Sequence, residues 1–338
     1  RFIDVFNSYI LVLLLFISSL TMFMSGLVAN FEFDLKKIIA LSTLSQLGLM
    51  MSILALGESI LAFFHLLMHA LFKALLFMCA GSMIHNLGDC QDIRYMGSLV
   101  HYMPLSSVFF NICNLSLCGL PFLTGFYSKD LILEFLSMDW VSFYIYLIFY
   151  FSTGLTVSYS MRLVYYTMLG DFNLVSFFSI SDQNKFMISG MMGLIFFVII
   201  SGSFISWLMF PTPYFICLPL VLKLMVLIVV FLGALLGYII SEVSFSDFSK
   251  SLYFYNFFYF ISLMWNFNYL STFGVNYYFL LFGNKFYDLI DQGWSEYVGS
   301  QNIYFLMKSK SLNFQLIFNN NIKVFLFLLL IWFCFMLL

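Results

Sequence analysis

Long runs of apolar residues, interrupted by short polar segments, follow one another along the whole chain. An α-helix needs about 20 consecutive apolar residues to cross the hydrocarbon core of a bilayer. Runs of about this length cover residues 9–29, 38–56, 59–85, 141–169, 186–210, 218–240 and 314–338. The pattern therefore predicts an all-α membrane protein.

A further apolar stretch, residues 104–138, is too long for one straight crossing, because as a helix it would extend roughly 50 Å against a hydrocarbon core of about 30 Å. Gly119, Pro121 and Gly125 lie in its middle, and Gly and Pro at this density interrupt a helix. Broken helices in membranes line cavities in which the freed backbone groups meet water. We therefore expect about eight transmembrane helices, of which the fourth is discontinuous.

The pattern changes near the C-terminal end. Residues 241–313 are rich in aromatic side chains but also contain many Asn, Ser and charged residues. Within 285–299, apolar and polar positions recur at helical spacing, which is typical of a long amphipathic helix lying along a membrane interface. The predicted parts are 1–170, a helix bundle with the broken helix at 104–138; 171–240, additional transmembrane helices; 241–313, the interfacial or lateral helix segment; and 314–338, the C-terminal transmembrane helix.

Composition and charge narrow the class of protein. Of 338 residues, 63% are hydrophobic and 9% are charged, and a soluble domain of this size cannot bury so much apolar surface. A formal net charge of -2 argues against a nucleic-acid partner. The six cysteines form no C-x-x-C pair, so neither a zinc site nor a disulfide framework is indicated.

Basic residues in the short loops predict the orientation. Alternate crossings place one group of them on a single side, namely Lys36, Lys37, Arg94, Lys185 and Lys250. The opposite loops contain little beyond Lys223, so the first side is assigned to the negative compartment, the cytoplasm or matrix. The amphipathic segment then lies on that side, and the residues after the break in 104–138 lie nearer the opposite compartment.

Three ionisable side chains, His65, His69 and Lys73, occur four residues apart in an otherwise apolar run. Steps of four residues keep them on one face of a helix. Lys73 lies near the middle of its predicted span, where a cation is costly unless it is solvated, paired or neutralised, and its stem of about 6 Å cannot reach an interface. We expect the row, with water between its members, to pass protons.

Two other interpretations of this row stay open. One is that the three side chains are packed polar groups of purely structural value, and the other is that His65 and His69 bind a metal ion as an i, i+4 pair. Against the metal ion, Lys73 one turn further on would repel a divalent cation, and no Cys or carboxylate neighbours the pair.

A second group of ionisable residues follows the break: Lys129, Asp130 and Glu134. We expect these three to form a second titrating station and an exit; the alternative is an interfacial Lys with a salt-bridge partner. Small polar residues of the second span are candidates for holding water in the path, and they also join membrane helices with no further role. They are Ser42, Thr43, Ser45 and Gln46.

Five stretches together resemble the antiporter-like membrane subunits of respiratory complex I. They are residues 34–50, 65–78, 81–85, 91–97 and 120–130, which contain the Lys and His residues described above. The late span, lateral helix and last span also match this family. The resemblance implies proton translocation driven by quinone reduction elsewhere in the complex, with His65, His69 and Lys73 on a central hydrophilic axis and Lys129 with Asp130 on the outward path.

The resemblance also implies the setting of the protein. No redox cofactor is expected in this chain, where no G-x-G-x-x-G motif follows a strand; flavin, iron–sulfur clusters and ubiquinone are expected in partner subunits. Partners would be other membrane-arm subunits, especially antiporter-like chains along the lateral helix, together with lipids of the mitochondrial inner membrane. Family members have a front half with the first of two inverted repeats, and this chain begins within the second. Alternatives are a subunit of a multi-subunit cation/proton antiporter and a structural membrane-arm module without transport.

Overall fold

The computed structural model describes residues 5–138, 143–174, 180–182, 184–243, 253–319 and 321–338. Residues 141 and 142, where one predicted span begins, and Lys250, one of the orienting charges, lie outside this range. Within it the chain is helical, and its only pairing of extended backbone is a single antiparallel bridge between Asp34 and Asp92.

Nine helices lie in the described residues of the first part of the fold. They are α1 (Ser8–Ala29), α2 (Leu35–Ala55), α3 (Ser59–Asn86), α4 (Leu99–Tyr102), α5 (Pro104–Cys118), α6 (Thr124–Met138), α7 (Phe143–Val164), α8 (Lys185–Met209) and α9 (Leu220–Glu242). One π-helical turn, Tyr165–Leu169, continues α7. Three further helices follow: α10 (Tyr255–Ser262), α11 (Phe267–Ile317) and α12 (Ile322–Leu337).

The predicted number of eight spans is not confirmed. Among the described residues, five helices are long and apolar enough to cross a membrane, namely α1, α2, α3, α8 and α9. The pair α11–α12, bent by 112°, passes the same criterion only when taken together. Helices α5 and α6, with 15 residues each, and α12, with 16, are short for a bilayer, and α7 carries many Tyr, Ser and Thr side chains that reduce its apolar character.

The predicted interruption of 104–138 lies between α5 and α6. Helix α5 ends at Gly119, whose φ of 84° belongs to the left-handed region that favours glycine. The chain then turns, and α6 begins so close to the end of α5 that a Cβ on Gly125 would lie 1.7 Å from the carbonyl oxygen of Ser116. A glycine is therefore required where the two half-helices meet.

Polar contacts fasten the turn between α1 and α2 to the rest of the bundle. The buried Arg162 guanidinium, near the end of α7, donates to the carbonyl oxygens of Asn30 (2.6 Å) and Glu32 (2.8 Å) and lies 4.7 Å from the ring centre of Phe33. Arg94 covers the same ring at 4.2 Å. These contacts fix the start of α2, and with it the polar residues that α2 carries inward.

The chain divides into two compact units, 1–265 and 266–338. In the first unit, α3 packs against α2, α5, α6 and α8, so it lies at the centre of the bundle. The second unit consists of α11 and α12. Helix α11 alternates α-helical and π-helical stretches, includes the amphipathic segment 285–299 and extends beyond it on both sides. No described residue of α11 or α12 is buried.

Candidate functional site: a row of buried lysine and histidine side chains

The three ionisable residues of α3 lie inside the bundle, as their spacing predicts. Their exposed fractions are 1% for His65, 8% for His69 and 4% for Lys73. Apolar residues of the same helix, Phe64 and Phe72 among them, are buried beside them. Because other helices surround α3, none of the three side chains reaches lipid or bulk water.

Lys73 finds its partner on α2. Its ammonium group donates to the hydroxyl oxygen of Ser42, and the Ser42 hydroxyl donates to the carbonyl oxygen of Ile39 at 2.7 Å. The Ser42 oxygen thus accepts one hydrogen bond and donates another. A single neutral hydroxyl leaves the charge of Lys73 largely uncompensated.

His65 is held from two sides. Its Nε2 lies 3.1 Å from Oε1 of Gln46, and its Nδ1 lies 3.0 Å from the hydroxyl oxygen of Ser128. With Oε1 as the acceptor, Nε2 carries the proton, and Nδ1 accepts from Ser128. Gln46 lies one turn after Ser42 on α2, so α2 presents one polar partner to each end of the α3 row.

His69 occupies the gap between the two other members of the row. Its ring centre is 6.4 Å from that of His65, and the edge of Phe72 packs against it at 5.3 Å. Its Nε2 is buried and has no hydrogen-bond partner among the described protein atoms. A buried nitrogen of this kind is a natural position for an internal water molecule.

Lys129 is buried at the break between the half-helices, with 3% of its surface exposed. Its ammonium group donates to the hydroxyl oxygen of Thr156 on α7 at 2.8 Å and lies 3.5 Å from the carbonyl oxygen of Leu117. That carbonyl belongs to the last turn of α5, where the intrahelical partners are missing because the helix ends. The break thus supplies an acceptor for the lysine.

The alternative of an interfacial lysine with a salt-bridge partner does not match this position. Ion pairs among the described residues are Lys37–Asp34 and Arg94–Asp92, both in or beside loops. Asp130 and Glu134, one turn apart on α6, are half-buried and belong to neither pair. They flank the buried row without joining it.

The structure brings together Ser42, His65, His69, Lys73 and Lys129, but not Thr43. Thr43 is half-buried, and its hydroxyl donates to the carbonyl oxygen of Ala40 in its own helix at 2.6 Å. Among the described residues, no group of three or more His, Cys, Asp or Glu is arranged to hold a metal ion. Each of these buried side chains can donate or accept a proton.

Two family models cover almost the whole chain. Residues 1–156 match the model described as NADH:quinone oxidoreductase/Mrp antiporter, TM, and residues 159–338 match the model described as NADH dehydrogenase subunit 5 C-terminus. The chain belongs to the NADH dehydrogenase subunit 5 family. The resemblance of the five motif stretches to antiporter-like subunits of complex I is thereby confirmed.

Relatives named NADH-ubiquinone oxidoreductase chain 5 place the chain within the subunit 5 family. The protein of Locusta migratoria is 55% identical over 94% of this chain and 56% of its own length. That of Anopheles gambiae is 55% identical over 98% of this chain and 58% of its own length, and that of Lumbricus terrestris is 40% identical over 86% and 50%. The chain spans a little over half the length of its insect relatives.

Three hydrogen-bond partners in this site could be predicted from the sequence only weakly or not at all. Gln46 was a candidate for holding water, and its spacing of four from Ser42 places both on one face of α2. Ser128 directly precedes Lys129, but nothing in the sequence joined it to His65. Thr156 is one of many hydroxyl residues in α7, and only the packing of α6 against α7 selects it.

Proposed function

We propose that this chain forms part of a proton-translocating membrane-arm subunit of respiratory complex I, which couples electron transfer from NADH to ubiquinone to proton pumping. The observation that carries the proposal is the line of buried polar groups from Lys73 with Ser42, past His69, to His65 with Ser128, and on to the neighbouring Lys129. A protein that only needed stability would not bury two lysines without carboxylate partners.

Each group has a distinct part in the proposed path. Lys73 holds or releases a proton at Nζ, and Ser42 supports the charged state by accepting its hydrogen bond. His69 passes the proton on by accepting at one ring nitrogen and donating at the other, and a water molecule at its free Nε2 closes the gap to His65. His65 in turn exchanges a proton with Ser128 at Nδ1. Ser128 connects His65 to α6.

Lys129 would receive the proton at the break in the α5–α6 helix. From there Asp130 and Glu134, half-buried on the same helix, offer carboxylates in the direction of the less basic side of the membrane. The loop charges support a path that runs from the matrix side to the opposite side. Thr43, which bonds within its own helix, is the weakest member of the predicted path.

Family membership supports a proposal for the setting of the subunit. The proposed location is the mitochondrial inner membrane, where the chain is a multi-pass component. Other membrane-arm subunits are the proposed partners, with neighbouring antiporter-like chains and lipid covering α11, on which no described residue is buried. The flavin, the iron–sulfur clusters and ubiquinone belong to partner subunits in this proposal. The assignment of residues 159–338 to subunit 5 disfavours the multi-subunit antiporter alternative.

The substitution Lys73→Met tests the proposal against the structural alternative. In the full-length subunit within the assembled complex, we expect proton pumping coupled to NADH oxidation to fall at least about tenfold, because methionine fills the space but carries no proton. Oxidation of NADH by a water-soluble electron acceptor should be unchanged. Pumping is measured from the acidification of vesicles containing the complex.

Lys36→Met is the matched control, since Lys36 is an exposed lysine at the start of α2. It should leave pumping unchanged. Normal pumping in the Lys73→Met complex would contradict the proposal and favour a structural module, provided that the amounts of assembled complex are equal.

A further inference from the structure

Helix α7 carries a second polar residue into the region of the two lysines. Tyr159 is three residues after Thr156, which contacts Lys129, and it has 2% of its surface exposed. Helix α2 packs against α7, and its Ser42 and Ser45 lie near the hydroxyl group of Tyr159. The hydroxyl nevertheless makes no hydrogen bond of normal geometry to a described protein atom.

One turn of α7 therefore carries one residue beside each of the two lysine sites. Thr156 accepts from the ammonium group of Lys129, and the hydroxyl of Tyr159 adjoins Ser42, which accepts from Lys73. Three residues of α-helix correspond to a rise of about 4.5 Å. The route along α7 does not involve His65, His69 or Ser128.

The surroundings of the tyrosine hydroxyl suit a water molecule. Ser45 donates to the carbonyl oxygen of Ser42 at 2.9 Å, and Ser42 donates to Ile39, so each serine oxygen keeps acceptor capacity. Towards Lys129 lies Cys118, the last residue of α5, whose thiol is 2.9 Å from the hydroxyl oxygen of Ser160. A water molecule beside Tyr159 would have several polar partners, as a buried water requires.

Burying an unpaired hydroxyl is unfavourable, and phenylalanine would fill the same space without that cost. The hydroxyl of Tyr159 therefore needs a reason beyond packing. We propose that Tyr159 is a second relay residue between Lys73 and Lys129, parallel to the route through His69, His65 and Ser128. This inference rests on the proposed function.

The transfer through Tyr159 is balanced. Lys73 gives a proton from Nζ to a hydrogen-bonded water on the Ser42 side as that water gives one to the phenolic oxygen. The phenolic oxygen gives its own proton to a water on the Lys129 side, and that water gives one to the neutral Lys129 amine, so both waters end neutral and the charge has moved from Lys73 to Lys129. The O–H bond broken is replaced by the O–H bond formed, so the tyrosine ends neutral and no other reactant is consumed. Reorientation of the hydroxyl then resets the site.

The test compares Tyr159→Phe, His69→Gln and the double variant in the full-length subunit of the assembled complex. If the two routes are parallel, each single variant should lower the pumping rate by about twofold, and the double variant should lower it at least about tenfold, more than the product of the single effects. Tyr165→Phe, which removes a hydroxyl in the π-helical turn that continues α7, is the control and should pump normally. Ser45→Ala, alone and together with His69→Gln, should also lower the pumping rate, as Tyr159→Phe does.

The outcomes separate this inference from the function on which it rests. If Lys73→Met leaves pumping intact, the proposed function is wrong. If Lys73→Met impairs pumping but Tyr159→Phe and Ser45→Ala add nothing in the His69→Gln background, only the second relay is wrong. A larger deuterium-oxide isotope effect on pumping in His69→Gln than in His69→Gln with Tyr159→Phe would further support the relay, and equal isotope effects would oppose it.

Discussion

The bundle α1–α9 and the segment α11–α12 differ in the burial of their side chains. The bundle buries charged and polar groups such as Lys73 and Lys129 among its helices. In α11 and α12, no described residue is buried, and large apolar side chains such as Trp294 are 68% exposed. Contacts within the chain thus determine the geometry of the first region, whereas the apolar surface of the second requires lipid or another protein to cover it.

The difference in burial corresponds to two roles of a membrane helix, which are to position polar groups and to attach to lipid or another protein. Polar residues inside a bundle are held in place by partners on neighbouring helices and can support a defined proton path. Apolar residues on an unpartnered helix have no such constraint and serve for attachment. Substitutions in the two regions should therefore differ in whether they affect the chain itself or its association.

The largest effect is expected for Gly125→Ala in the bundle. A Cβ at this position would lie 1.7 Å from a backbone oxygen of α5, so the two half-helices would have to separate. We expect a loss of about 3 kcal/mol or more in the free energy of unfolding, measured by thermal or denaturant unfolding in detergent micelles.

Gly190→Ala in α8 is the matched control, since nothing lies within 4 Å of a Cβ built there. It should be neutral or stabilising by up to about 1 kcal/mol, because alanine favours helix. Equal effects of the two substitutions would show that close contact at the break does not determine the bundle.

A smaller effect is expected for Thr156→Val. It removes the acceptor at 2.8 Å from the Lys129 ammonium group in the bundle interior. Leaving a buried cation short of one hydrogen bond costs about 1–3 kcal/mol, measured as unfolding free energy, and pumping should also fall.

Thr153→Val, one turn earlier, is the control for this lysine contact. The Thr153 hydroxyl is also buried, but it bonds only to the carbonyl oxygen of Tyr150 in its own helix. Its removal should cost less than Thr156→Val and leave pumping unchanged; the reverse order would contradict the role given to Thr156.

Lowering the pH should reduce the free energy of unfolding only slightly through the Asp92–Arg94 pair, which lies in the segment between α3 and α4. The Arg94 guanidinium holds the pKa of Asp92 below its usual range by hydrogen bonding to the carboxylate. The stabilisation is therefore fully present above the ordinary aspartate pKa and is lost as the pH falls through the lowered value. Because solvent screens the pair, the change should stay under about 1 kcal/mol.

Arg94→Gln should abolish this dependence of unfolding on pH in the acid range. A pH profile that persists unchanged in Arg94→Gln would assign the dependence to another group. The comparison is made by unfolding the parent protein and the variant at matched pH values.

The smallest effect on the chain itself is expected for Trp294→Gln in α11. Since Trp294 is exposed, its replacement should change the unfolding free energy by no more than about 0.5 kcal/mol. Its effect should instead appear as reduced association with the proposed partner subunits, measured by the yield of assembled complex on native gels.

Asp288→Asn, at an exposed polar position of the same helix, should leave both quantities unchanged. A large loss of stability in the isolated Trp294→Gln chain would remove the distinction between the two regions. A normal yield of complex would show that this tryptophan is not part of the covered surface.

Much of this protein follows from the order of its residues alone. Apolar runs predicted helices, the glycines and proline at 119–125 predicted a broken one, and the spacing of His65, His69 and Lys73 predicted one polar face, because a helix repeats every 3.6 residues. The motif stretches also identified the family. These are local properties, and local spacing is sufficient to determine them.

Only the tertiary structure decided which polar groups meet. Pairing of Lys73 with Ser42, of His65 with Gln46 and Ser128, and of Lys129 with Thr156 depends on how helices distant in sequence pack. Adjacent hydroxyl residues such as Ser42 and Thr43 differ by 100° around a helix, so packing selects one and leaves the other bonded to its own backbone. Helical periodicity defines the faces, and contact between helices determines the partner of each face.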